Sequence, residues 1–212
     1  CKELGSRTPG KINVEVASKL PAWVATNCSK SNTDCSAAMC CQAPGTACHQ
    51  KKPGWSTCRV ACNAGPDPTD MDSDPWTCKQ FGPRTPGKAA IVPLWKMTPA
   101  KWVASTCSKG GEDCSKTRCC AGEGMQCYQK KEGWATCRAS CNAGPDPADA
   151  DGAWWSCKPL GMRTPGVAKE PDLAGMAVPG WVGVQCAEGG DCSKKRCCSG
   201  KGMQCFQKND GW

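Results

Sequence analysis

The adjacent pairs Cys40-Cys41, Cys119-Cys120 and Cys197-Cys198 occupy one place in three copies of a single cysteine pattern. That pattern decides most of what this chain can fold into. Cys28-x6-Cys35-x4-Cys40-Cys41-x6-Cys48-x9-Cys58-x3-Cys62-x15-Cys78 is matched gap for gap by Cys107, Cys114, Cys119, Cys120, Cys127, Cys137, Cys141 and Cys157. A third copy runs through Cys186, Cys192, Cys197, Cys198 and Cys205, with one gap shorter by a residue. Between the blocks, Cys1-Lys-Glu-Leu-Gly-Ser-Arg7-Thr-Pro-Gly10 returns at Cys78–Gly87 and at Cys157–Gly166, each ending in Arg-Thr-Pro-Gly. Self-similarity at a fixed period is the mark of a repeat protein. The frame gives residues 1–77 as unit 1, 78–156 as unit 2 and 157–212 as a truncated unit 3. Both ends cut through a unit, so the chain reads as a window onto a longer array.

The 22 cysteines are about 10% of 212 residues, a density typical of secreted disulfide scaffolds. Ile, Leu, Val and Phe together number only 19, too few for one large apolar core, so covalent staples must constrain the chain instead. Gly and Pro, 24 and 17, favour turns over long helices. Such cysteine use belongs to a secreted or extracellular setting reached through the secretory pathway. The net charge of +8 is spread without like-charge runs, which gives no nucleic-acid arm, and no apolar stretch has the length of a membrane span. The Cys48–Cys58 segment, with Pro53-Gly54 near its middle, reads as a β-hairpin. Lys11 to Val16 alternates like a strand. Segments 88–101 and 167–180 read as extended, Pro-stiffened connectors.

The first six cysteines of each block resemble an inhibitor cystine knot, with knots over residues 28–58, 107–137 and 186–212. Six cysteines allow 15 connectivities. The resemblance implies Cys28–Cys41, Cys35–Cys48 and Cys40–Cys58, then Cys107–Cys120, Cys114–Cys127 and Cys119–Cys137. It adds Cys186–Cys198 and Cys192–Cys205, with Cys62–Cys78 and Cys141–Cys157 closing outside the knots. Cys1 and Cys197 are then unpaired by truncation. The expected fold is small and disulfide-rich: a tandem array of cystine-knot-like modules with short β-hairpins, Pro/Gly-rich extended connectors and little helix.

Candidate chemistry is sparse. The single His, His49, is replaced by Tyr128 and Phe206 in the other copies, and no nucleophile has a companion base, so no catalytic residue is expected. Asp34, Asp113 and Asp191 each precede the second knot cysteine and suit turns. Cysteines without Cys-x2-Cys pairs or companion His fit disulfides better than zinc. No cofactor is expected, although Asp70-x-Asp72-x-Asp74 has the rhythm of a weak calcium loop.

Of ten Trp, eight fall into three classes at fixed offsets from cysteines. Trp23, Trp102 and Trp181 precede the first knot cysteine, while Trp76 and Trp155 precede the eighth. Stacked on disulfides they would replace an aliphatic core. The segments Cys48-His-Gln-Lys-Lys-Pro-Gly-Trp55-Ser-Thr-Cys58 and Cys127-Tyr-Gln-Lys-Lys-Glu-Gly-Trp134-Ala-Thr-Cys137 resemble the closing hairpin of fungal-type cellulose-binding modules. That likeness implies a glycan or packing surface built on Trp55, Trp134 and Trp212, with Gln50, Gln129, Gln207, Tyr128 and Phe206 beside them. The phrases Gly-Met-Gln-Cys, Gly-Trp-Ala-Thr-Cys and Arg-Thr-Pro-Gly resemble Cys-rich tandem repeats of secreted and cell-covering dinoflagellate proteins.

These readings converge on a non-catalytic repeat protein of an extracellular assembly: a filament, extruded fibre, flagellar hair or cell-covering layer. Its partners would be copies of itself. The alternative is a set of tandem modules binding a cellulose-like polysaccharide with avidity. A third reading, a knottin effector of channels or proteases, sits poorly with hairpins that stay constant between copies.

Overall fold

A computed structural model describes residues 20–169 and 172–208. The Lys11–Val16 strand, Cys1 and Trp212 lie outside the described residues. The chain divides into two compact units, one made of residues 1–61 with 79–91, the other of 62–78 with 92–212.

In the first unit, a short helix α1 (Ala22–Asn27) leads into the first six-cysteine module, whose hairpin pairs β1 (Ala47–Lys52) with β2 (Trp55–Arg59). Helix α1 begins after Pro21, whose φ of −53° suits a helix entry, and buries Val24. The β3 strand (Gln80–Phe81) adds to the free edge of β1, giving the order β2-β1-β3.

The second unit repeats this plan. Helix α2 (Val103–Thr106) precedes a hairpin of β4 (Gln126–Lys131) and β5 (Trp134–Arg138). The loop closed by Cys141–Cys157 holds a two-residue ladder of β6 (Gly144–Pro145) and β7 (Trp154–Trp155). Strand β8 (Lys158–Leu160) then pairs with β4, in the order β5-β4-β8. Helix α3 (Gly180–Gln185) opens the third module.

The cores are small and mostly sulfur. Cys114, Cys120, Cys127, Ala135 and Cys137 form one cluster, edged by Met125 and Leu160. Val103 and Val182 are the aliphatic side chains buried over Cys107–Cys119 and Cys186–Cys197. So few apolar contacts cannot offset the entropy of this much chain alone, which is why the covalent closures matter.

Ten disulfides form among the described residues. Cys35–Cys48, Cys114–Cys127 and Cys192–Cys205 join the second and fifth cysteines, and Cys62–Cys78 and Cys141–Cys157 close separate rings. The vicinal pair corrects the knot-type expectation. In place of Cys28–Cys41 with Cys40–Cys58, the structure joins Cys28–Cys40 and Cys41–Cys58. Likewise Cys107–Cys119 and Cys120–Cys137 replace Cys107–Cys120 and Cys119–Cys137. In the third module Cys186 bonds Cys197 rather than Cys198, so among the described residues the cysteine without a disulfide partner is Cys198, not Cys197.

Backbone pairing explains the exchange. Ser29 bridges Cys41 in parallel, with Ser29 N–H donating to Cys40 O at 3.0 Å and Gln42 N–H to Ser29 O at 2.9 Å. The residues just before this pair, Cys28 and Cys40, therefore share the opposite side, 4.9 Å apart at Cα. Cys41 faces inward to the hairpin. A left-handed residue precedes each vicinal pair, at Met39, Arg118 and Arg196 with φ of 52°, 54° and 55°, and turns the chain into this arrangement.

The connector reading also needs correction in the second unit. Segment 88–101 is no free spacer where it crosses this unit. A 3-10 turn at Leu94–Lys96 accepts from Gly166 N–H at Leu94 O, and Ala100 N–H donates to Pro68 O at 2.8 Å.

Candidate functional site

Three surfaces recur, and the first is the seat of the Arg-Thr-Pro-Gly tag. Thr85 and Thr164 are buried, and their hydroxyls donate to Cys41 O at 2.6 Å and Cys120 O at 2.5 Å. The same residues donate their N–H groups to Thr46 O and Met125 O at 2.8 and 2.9 Å. Arg84 Nη1 donates to Gly45 O and to Val60 O, and Arg163 Nη1 to Gly124 O and Ala139 O. Arg163 Nη2 also donates to the Tyr128 hydroxyl at 2.9 Å. The tag thus closes the module that precedes it in sequence, satisfying carbonyls that the cysteine loops leave bare. Read as sequence the tag is only a repeat marker. The signal of its role was the retention of both Arg and Thr at one offset in every copy.

A second surface is the seam between each ring and the module after it, seen twice in the second unit. Trp76 and Trp155 are buried, and each Nε1–H donates to a carboxylate, Asp70 Oδ2 at 2.7 Å and Asp149 Oδ2 at 2.6 Å. The main-chain oxygens of those same aspartates accept from the next module: Trp102 Nε1–H reaches Asp70 O at 2.9 Å, and Trp181 Nε1–H reaches Asp149 O at 3.1 Å. Arg118 and Arg196 lay their stems against Gly65 and Gly144 of the same rings. One aspartate therefore ties a ring tryptophan and a neighbouring module together.

Toward the module before it, the Cys141–Cys157 ring is held by charge. Lys130, nine-tenths buried, places Nζ 2.9 Å from Asp149 and 2.5 Å from Asp151, while Arg138 pairs with Asp146. The Arg138 guanidinium carbon lies 4.2 Å from the centre of the Trp155 ring, in cation–π range. Burial pulls the Lys130 pKa down, but the hydrogen bonds of Asp151 and Asp149 outweigh it and leave the ammonium above its ordinary value. Lys130 in turn holds the Asp151 carboxyl below its ordinary range.

This bears on the calcium candidate. Asp70 Oδ2 is occupied by Trp76 Nε1–H, and Asp72 Oδ1 accepts from Asp74 N–H at 2.9 Å. Among the described residues, groups of three potential ligand atoms within 4.8 Å of one another are Cys35, Cys41, Cys58 and Cys114, Cys120, Cys137. All six are disulfide-bonded, and thiolate is the metal-binding form of cysteine. The carboxylates of Asp70, Asp72 and Asp74 do not converge in that way.

The third surface is the hairpin tip. Trp55 and Trp134 are 42% and 40% exposed, beside turns at Gly54 and Gly133 whose φ of 81° and 77° requires glycine-like freedom. Registers Gln50↔Ser56 and Gln129↔Ala135 set the glutamines opposite residues next to the tryptophans in sequence. Successive strand residues alternate faces, so Gln129 shares the face of Ala135, and Trp134 shares the face of Thr136 and its partner Tyr128. The structure brings Trp134 and Tyr128 to one face and puts Gln129 on the other. His49 is buried, Phe206 is exposed, and Gln207 lies in irregular backbone.

Asp34, Asp113 and Asp191 act as turn acceptors. Asp113 Oδ1 takes Ser115 N–H at 2.9 Å and Ala135 N–H at 3.1 Å, and Asp34 Oδ1 takes the Ser36 hydroxyl at 2.7 Å and the Ser36 and Ser56 N–H groups at 3.0 and 3.1 Å. These bonds hold the Asp113 and Asp34 carboxyls below their ordinary value. Asp191 Oδ1 accepts from Ser193 N–H at 2.8 Å and is lowered likewise.

No helix among the described residues is long and apolar enough to cross a membrane. Comparison with known proteins returns no matching family model, no matching curated protein and no matching solved structure.

Proposed function

We propose that this chain is a non-catalytic, disulfide-stapled repeat protein of an extracellular structural assembly, a filament, fibre or cell-covering layer. The seam described above carries the reading. Trp102 to Asp70 and Trp181 to Asp149 are the same bond at the same separation of 32 residues, so a module is fastened to the ring before it by an element that every further repeat would reproduce. Chains built for load need joints that do not flex freely, and nearest-neighbour interfaces of this sort are what make repeat arrays stiff. Ten disulfides suit an oxidising compartment outside the cytoplasm. The test is electron microscopy of native material, in which filaments or sheets are expected and dispersed single chains would reject the reading.

A second reading, tandem glycan binding, is favoured by one observation, the exposure of Trp55 and Trp134 at equivalent hairpin tips. Stacking of sugar rings on these faces would proceed without Gln129, which lies on the other face of its strand. Sedimentation with crystalline cellulose, comparing the chain with Trp55→Ala plus Trp134→Ala, tests it; identical partitioning would remove it.

A further inference from the structure

Six asparagines occur in the chain, and one of them, in Asn27-Cys28-Ser29, has Ser or Thr two residues on. Asn-x-Ser/Thr with x other than Pro is the acceptor triplet for N-linked sugar in chains that pass through the secretory pathway. The triplet falls at a defined place in the fold. Asn27 is the last residue of α1, and the backbone turns extended at Cys28, with φ of −93° and ψ of 154°. The equivalent residues Thr106 and Gln185 end α2 and α3, so of the three modules the first alone carries the triplet.

The Asn27 side chain is free to carry a substituent. Asn27 is exposed. Its Oδ1 accepts from the Thr26 hydroxyl at 2.7 Å, while among the described residues its Nδ2 donates no hydrogen bond. The helix end does not depend on it: Gln42 Nε2 donates to Ala25 O and Cys28 O at 2.8 and 2.7 Å, satisfying carbonyls that a helix terminus leaves bare. Nor does the exposure come from a missing neighbour. Thr106 and Gln185 belong to modules tied to a preceding ring through Trp102 and Trp181, and both are exposed all the same.

Ser29 is in the opposite condition. Its hydroxyl donates to Asp34 O at 2.9 Å, its N–H donates to Cys40 O at 3.0 Å, and its carbonyl accepts from Gln42 N–H at 2.9 Å. Cys28, between the two, is buried and bonded to Cys40. In the closed module the triplet is split, its amide outside and its hydroxyl built into the bridge.

We propose that Asn27 is a site of N-linked glycosylation, filled before the Cys28–Cys40 disulfide forms and displayed at the end of α1 afterwards. The donor is an oligosaccharide joined to a lipid pyrophosphate. Asn27 Nδ2 forms a bond to C1 of the first sugar, the C1–O bond to the pyrophosphate breaks, the lipid pyrophosphate leaves with that oxygen, and one amide proton is lost to solvent. The triplet is read through its amide and its hydroxyl together, so transfer has to precede the bridge at Ser29. Disulfide closure and transfer therefore compete for the same three residues. The product is a bulky, hydrated group on one module. The inference rests on the extracellular reading above for access to the donor.

The experiment takes protein from its source, reduces, alkylates and cuts it with trypsin, and sequences the peptide 20–30, bounded by Lys19 and Lys30. Electron-transfer fragmentation keeps sugars attached, and a glycan beginning with N-acetylhexosamine is expected on Asn27. The peptide found entirely unmodified, in material whose cysteines are oxidised, would overturn the proposal and leave the extracellular reading in place. The same peptide beside mostly free thiols would overturn both. The ordering is tested on the chain secreted from a eukaryotic cell line, which should yield modified and unmodified peptide together. Asn27→Gln, which gives the first module the residue that ends α3, should lose the modified form. Cys40→Ser keeps the triplet but removes the partner of Cys28, and should raise the modified fraction, a ratio independent of how much of the variant folds. Complete modification of the unaltered chain, or an unchanged or smaller fraction in Cys40→Ser, would reject the competition. Sugar retained in Asn27→Gln would put the modification elsewhere and reject the site.

Discussion

Replacing Thr164 by Val removes one hydroxyl while keeping the shape of the side chain, and it probes the tag seat directly. Thr164 is fully buried and its hydroxyl reaches Cys120 O, on a residue that is itself fully buried. Water cannot readily replace the lost donor. The expected cost is about 1–3 kcal/mol, the penalty of leaving a buried acceptor unsatisfied. The disulfides Cys107–Cys119, Cys114–Cys127 and Cys120–Cys137 do not involve the tag, so the loss should appear as local opening rather than global unfolding. Amide hydrogen exchange is the assay. Protection at Thr164 and Gly124, whose N–H groups donate to Met125 O and to Thr164 and Pro165 O, should fall about 5- to 140-fold, with little change at the hairpin amides. Thr164→Ser, which keeps the hydroxyl, should retain most of the protection. Unchanged exchange in Thr164→Val would show that the hydroxyl does not hold the tag, and the clasp would have to be discarded.

Three further outcomes follow from the same geometry. Gly161→Ala should release β8 from β4, because its Cβ would overlap Arg118 O; Gly133→Ala, at similar φ but in open space, should cost only about 1–2 kcal/mol, and equal melting temperatures for the two variants would contradict this. Trp181→Phe removes the bond to Asp149 O and about 0.5–1.5 kcal/mol; amide relaxation should then show the third module gaining motion relative to the second, and unchanged common tumbling would count against the seam. The Asp113 pKa is lowered from 3.8 on folding, so its contribution is present above the unfolded value and is lost as pH falls through the folded value; thermal scans should show an acid-side decline below about pH 4 that is shallower in Asp113→Asn, and superimposable curves would refute it.

Sequence spacing made the repeat period, the closing hairpins and the scarcity of helix legible, because cysteine gaps and Gly turns act locally. Connectivity at the adjacent cysteines was not. Cys40 and Cys41 fit Cys28 equally by spacing, and only the parallel bridge from Ser29 to Cys41 sends Cys40 to that side. The tag escaped for a related reason: a repeat frame does not say whether a segment closes its own module or the one before it. Asp70 suggested a cation ligand because its run of alternating aspartates is visible, whereas the indole N–H groups that claim it arrive from Trp76 and from Trp102, far along the chain. The glutamines beside Trp134 look adjacent in sequence, yet strand alternation takes Gln129 away from the exposed aromatic face.

Cystines in a particular pairing take the place of an apolar core in this chain. Disulfide mapping of the unreduced protein, with fragmentation that cleaves between the adjacent cysteines, tests this most directly. Peptides linking Cys28 to Cys40 and Cys41 to Cys58, with the matching Cys107–Cys119 and Cys120–Cys137 links, are expected. Recovery of Cys28–Cys41 with Cys40–Cys58, or of largely free thiols, would contradict it.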